Sequence, residues 1–85
     1  MAYLSVPKEA KQAALNTAKA EFERDLYKAI ARLGLDPDTF DLDSFEFNEE
    51  AMTKEEIENP DFVIKKQISI IISRIGIINN KIAAL

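Results

Sequence analysis

From Ile64 to the last residue, apolar side chains fall at Ile64, Ile68, Ile71, Ile75, Ile78, Ile82 and Leu85, in steps that alternate between four and three. This is a heptad with Ile68, Ile75 and Ile82 at a, and Ile64, Ile71, Ile78 and Leu85 at d. An ordinary buried helix drifts toward a 3.6-residue period, so a strict seven-residue repeat points to a helix that keeps one seam turned toward another helix. Isoleucine at both a and d favours three or four strands over two. The seam therefore predicts an oligomer interface, trimeric or tetrameric. Ile70, Ile77 and Ala84 at c and Ile72 at e widen the apolar face. We expect a copy of the same helix across a/d, and the N-terminal helix against a second packing face of Ile70, Ile72 and Ile77. β-branched residues also suit strands. The heptad, the cap before the segment and the scarcity of other strands to pair with outweigh that reading.

Asn59-Pro60-Asp61 opens this helix, with a capping side chain, a proline at the first helical position and an acid at the positive end of the dipole. The first helix is placed at about residues 7–33. Ser5 is its candidate cap, Pro7 lies in its first turn, and Gly34 stands at the C′ position with Leu35 folding back on the last turn. Its apolar stripe is Ala14/Leu15, Ala18, Phe22, Leu26, Ala29/Ile30 and Leu33. Ala10, Ala14 and Ala18 admit a close neighbour, or simply favour helix. Residues 34–59 form an acidic connection. In it Phe40, Leu42, Phe45 and Phe47 alternate with acids and clamp the loop onto the helices, and Thr53-Lys54-Glu55-Glu56 matches a capping box. The fold class that results is all-α. Two long helices are joined by an acidic, Phe-containing loop with a short helix, in one domain spanning 1–85, and the C-terminal coiled coil of about 60–85 sits in an oligomeric bundle.

Charge is segregated. Residues 1–35 hold six bases and four acids, residues 36–61 eleven acids and Lys54 alone, and residues 62–85 four bases and no acid. The middle therefore carries −10. The simpler expectation folds it beside the basic helices, within one subunit or between subunits. The alternative presents Asp36, Asp38, Asp41, Asp43, Glu46, Glu49 and Glu50 to a basic partner.

With no cysteine and no histidine, disulfides, the usual zinc sets and the commonest general base are absent. The acids at 36–46 do not follow a calcium loop, because Phe40 stands at a ligand position and no glycine follows. Two glycines make no phosphate-cradling loop. We expect no enzyme, no cofactor, no metal and no nucleic-acid partner in a chain of pI near 4.8. Met1 to Pro7 do not read as a signal peptide, and Arg74, Lys81, Asn79 and Asn80 interrupt any span, so the expected location is the cytoplasm or a virus particle. The functional expectation is a self-assembling interaction or structural protein, an adaptor or particle component of the kind found among viral accessory proteins. Assembly through an isoleucine seam would barely respond to salt. A second reading is a small acidic inhibitor that mimics nucleic acid and blocks a basic groove. A third is peripheral membrane association through the C-terminal helix.

Overall fold

The computed structural model describes residues 3–85, so Met1 and Ala2, part of the leader reading, lie outside the described residues. The described residues are helical without strands. The elements are α1 (Lys8–Arg32), a 3₁₀ turn (Glu49–Ala51), α2 (Lys54–Glu58) and α3 (Asp61–Ala83). α1 and α3 pack against each other as an antiparallel hairpin. Leu15 near the start of α1 shares a groove with Leu85, while Leu33 at its end shares one with Lys65.

α1 begins differently from the sequence expectation. Pro7 is the cap residue, with φ −58° and ψ 151°, and no side chain caps the helix. The first helical bond runs from Lys11 N–H to the Pro7 carbonyl at 2.9 Å, which leaves Ser5 outside capping reach. The far end follows the expectation. Gly34 N–H donates to the Ala31 carbonyl at 3.0 Å, and Gly34 has φ +79°. Leu35, however, remains half-exposed and is not covered by the last turn.

These two glycines carry opposite expected effects. Replacing Gly34 with Ala forces a Cβ into the left-handed region and should destabilise by roughly 1–2 kcal/mol. Gly76 lies inside α3, where an added Cβ meets nothing within 4 Å. Gly76→Ala should stabilise by roughly 0.5–1 kcal/mol through helix propensity alone. Urea titrations of the two variants measure this pair, and equal signs would contradict the backbone described here.

The connection contains a tandem repeat that the sequence reading passed over: Asp36-Pro37-Asp38-Thr39-Phe40, then Asp41-Leu42-Asp43-Ser44-Phe45. Both copies fold alike. Asp38 N–H donates to Asp36 Oδ1 at 2.9 Å and Asp43 N–H to Asp41 Oδ1 at 3.0 Å. Thr39 Oγ1 donates to the Asp36 carbonyl at 3.4 Å and Ser44 Oγ to the Asp41 carbonyl at 3.1 Å. Side-chain acceptors two residues back hold the chain in a turn without a ladder. Each turn ends on a phenylalanine, and the two rings meet at 5.9 Å with a 50° tilt. Phe47 then packs on Phe62 of α3 at 5.7 Å. Thr53 and Glu56 form the capping box of α2, with Glu56 N–H to Thr53 Oγ1 at 3.2 Å and Thr53 N–H to Glu56 Oε1 at 3.3 Å. At the start of α3, Asn59 Oδ1 accepts the Asp61 N–H at 2.8 Å, and Pro60 already has helical angles.

The core is thin. Leu26, Ala29, Ile30 and Ile68 form one buried cluster, bordered by Leu33, Phe40, Phe45, Ile64, Ile71, Ile72 and Ile75. Ile78 is buried further along α3. Toward the open end of the hairpin Ala10 and Ala14 are exposed, so the alanine spacing is not used for a close approach there. The molecule measures 48 × 33 × 18 Å with a radius of gyration of 16.0 Å. A compact chain of this length would have about 12 Å.

Within one chain the heptad seam lies against α1. Ile68 and Ile78 are buried, and Ile64, Ile71, Ile75, Ile82 and Leu85 half-buried, within one chain. α1 covers a/d, and the c side, assigned beforehand to α1, is open. The reason is proximity. α1 carries its own apolar stripe and is tethered to α3 by one connection, so it meets the seam at a high effective concentration that a second chain must exceed.

Candidate functional site

The second packing face divides in the structure. Ile72 turns inward beside the core cluster. Ile70 and Ile77 turn outward, and Val63 joins them, at 43%, 55% and 60% exposure. Val63, Ile70, Ile77 and Ala84 occupy successive c positions, one residue in seven, and form a slowly winding stripe about 32 Å long at 1.5 Å per residue. Val63 was legible in the sequence by continuing the c register one heptad earlier. Toward the open end of the hairpin, Ala84 meets a further groove of about 480 Å³ lined by Leu4, Val6, Leu15 and Leu85.

The flanks of the stripe are basic. On α3, Lys66 and the g residues Arg74 and Lys81 border it, and residues 62–85 contain no acid. A groove of about 430 Å³ beside Ile70 adds Lys28 and Arg32 from α1, with Asp25 as its one acid. Two of these bases are held in place. Lys66 Nζ lies 3.2 Å from Glu49 Oε2 and 5.8 Å from the centre of the Phe62 ring. The Arg74 guanidinium lies 6.0 Å from the centre of the Phe22 ring.

The acidic residues singled out in the sequence, Asp36, Asp38, Asp41, Asp43, Glu46, Glu49 and Glu50, are all exposed. Among the described residues only Glu49 of this group forms an ion pair, the one with Lys66. The other pairs, Arg24 with Asp25 at 3.9 Å and Lys54 with Glu58 at 3.8 Å, are local and exposed. Pairing of the acidic middle with the basic helices inside one chain is thus confined to a single contact. A groove of about 620 Å³ runs beside the two turns, floored by Leu33, Phe40, Phe45 and Met52 and edged by Asp41 and Glu56. Among the described residues no group of three or more His, Cys, Asp or Glu is arranged to hold a metal ion. No helix there is long and apolar enough to cross a membrane.

Tyr27 ties α1 to the first turn, its hydroxyl donating to Asp38 Oδ2 at 3.3 Å. The negative charge of Asp38 raises the Tyr27 pKa, with desolvation, the hydrogen bond itself and the charge of Asp36 adding to it. A tyrosine is neutral when protonated, so a raised folded-state value means that the contact favours the protonated form. Its contribution is complete below the ordinary value of about 10 and is lost as the pH rises through the folded value. With Tyr3 replaced by Phe, phenolate absorbance should titrate above free tyrosine. The further change Asp38→Asn should move it back down, and an unmoved curve would contradict the contact.

No protein-family model, curated protein or solved structure matches the chain.

Proposed function

We propose that this is a non-enzymatic, self-assembling interaction protein whose contact surface is the Val63–Ile70–Ile77 stripe of α3. The observation that carries the reading is three large aliphatic side chains in line on the outer face of a helix whose inner face is already used. The accessible surface supports it. The chain exposes 6601 Å², where a compact monomer of its mass exposes roughly 5,100 Å². The surplus is about 1,500 Å², against about 800 Å² that each partner buries in a standard interface.

The magnitudes also set the strength. Covering a half-exposed Val or Ile contributes on the order of 1 kcal/mol. Three per chain roughly offset the lower end of the 4–15 kcal/mol that association costs. The stripe alone therefore supports reversible association, not an obligate bundle.

The test is solution mass by light scattering on a sizing column across protein concentration. Mass should rise from 9.6 kDa toward multiples of it, and Ile70→Glu with Ile77→Glu should hold the chain at the monomer. A wild-type mass of 9.6 kDa at every concentration would reject self-assembly.

The acidic segment supports a second reading, an acidic inhibitor that occupies a basic groove, because among the described residues most of its carboxylates form no ion pair. Asp36→Asn, Asp38→Asn, Asp41→Asn and Asp43→Asn together would abolish such binding to a basic protein.

A further inference from the structure

We propose that the assembly is head-to-tail, with the basic-flanked stripe of α3 in one copy seated on the acidic segment of the next. The inference rests on the self-assembly reading above and names the occupant of its surface. Charge decides between the two ways a chain can meet its copy. In a two-fold pairing a patch meets its own image. The stripe would then bring Arg74 and Lys81, along with Lys66 and the Glu49 it already pairs with, against the same residues of the partner. α3 supplies little counter-charge, because its one acid, Asp61, stands at its first residue and residues 62–85 hold none. The groove on the α1 side makes this worse by adding Lys28 and Arg32 against Asp25. Like charges facing across an interface oppose it.

The complementary surface lies elsewhere on the same chain. Residues 36–61 carry eleven acids and one base. Within them stand two large apolar residues that remain substantially exposed, Leu42 and Ile57. Leu42 sits between Asp41 and Asp43, and Ile57 between Glu56 and Glu58. Exposed apolar groups with acids on either side in the chain complement a stripe of apolar groups bordered by bases. The two patches differ, so the contact is heterologous, and repeating it builds a ring or an open chain. Association should weaken with salt, unlike a seam held by isoleucine alone.

The chemistry permits a test with two variants, each lacking one surface. The first is Ile70→Glu with Ile77→Glu, at exposed helical positions. The second is Asp41→Asn, Asp43→Asn, Glu55→Gln and Glu58→Gln. It keeps an acceptor oxygen at position 41 for the turn and leaves the Thr53–Glu56 capping box intact. Far-UV circular dichroism establishes that both are folded. Wild type should gain mass with concentration at 50 mM salt, and association should fall roughly tenfold or more by 500 mM. Each variant alone should stay at 9.6 kDa. Mixed one to one, they should form a dimer and nothing larger, because such a dimer holds one working junction and two disabled ends. Self-association of the acid-neutralised variant at wild-type strength would overturn the head-to-tail contact while leaving self-assembly standing. A mixture that stays monomeric would overturn it too. Wild type that never exceeds 9.6 kDa would remove the underlying reading along with it. Monomeric wild type that binds vesicles of anionic lipid would give the stripe to a membrane surface instead.

Discussion

Ile68→Ala is expected to unfold most of the protein at 25 °C. Among the described residues Ile68 is the one fully buried large side chain, at 0% exposure. It sits against Leu26, Ala29 and Ile30, in the cluster where α1 and α3 exclude water together. Truncating a buried isoleucine to alanine costs about 2–5 kcal/mol, through lost transfer energy and the cavity left behind. A single core in so short a chain supplies about 3–5 kcal/mol in all. The loss therefore matches the reserve. Far-UV circular dichroism should show most helical signal gone, with the remainder lost at low urea. Ile77→Ala is the matched control. It removes the same atoms from an exposed c position, where alanine also has the better helix propensity, and stability should stay within about 0.5 kcal/mol. The reverse outcome, with Ile77→Ala unfolded and Ile68→Ala intact, would mean that α1 lies along c and not along a/d. By the same geometry, Ile71→Lys and Ile75→Lys act on folding of the single chain before they act on any assembly.

The second large effect is expected at the paired turns. Phe45 is half-buried, borders the core cluster and meets the Phe40 ring at 5.9 Å. Removing a fully buried Phe costs about 3–5 kcal/mol. At half burial Phe45→Ala should cost about 2 kcal/mol, and Phe40→Ala a similar amount. Because the rings touch, the double variant should cost less than the two added together, by a coupling of about 0.5–1.5 kcal/mol. A double-mutant cycle by denaturant titration measures it. Strict additivity would show that the rings do not pack on each other. Limited proteolysis gives an independent view, since losing either ring should speed cleavage between residues 36 and 47. It also bears on function. The two phenylalanines hold Asp36, Asp38, Asp41 and Asp43 in a fixed arrangement on the surface, so releasing them should weaken any contact made through those acids without changing the charge.

The reading of the sequence reached the all-helical class, the two long helices and the short one between them, because these depend on neighbours a few residues apart. Gly34 has the left-handed φ that a C′ residue takes, the capping box at Thr53 closes on itself, and Asn59-Pro60-Asp61 starts a helix by its own chemistry. Ser5 failed as a cap because Pro7 had already closed the first turn. The tandem turns could have been read from the spacing of Asp, Ser/Thr and Phe, five residues apart. The identity of the a/d partner could not. A heptad states that some helix must lie against Ile64, Ile68, Ile71, Ile75, Ile78 and Ile82, and two candidates met that demand: another α3, and the tethered α1 with its matching stripe of Phe22, Leu26, Ala29 and Leu33. Tethering decides between them, and it acts only in three dimensions. Once α1 takes the seam, a further result follows that no periodicity contains. The stripe left over is Val63, Ile70 and Ile77, and its flank toward α1 is basic, because folding sets Lys28 and Arg32 of one helix beside Arg74 of the other. Short-range chemistry thus determined which segments are helices and where they end, whereas the surface left for partners was decided by which of two apolar faces the chain could cover with itself.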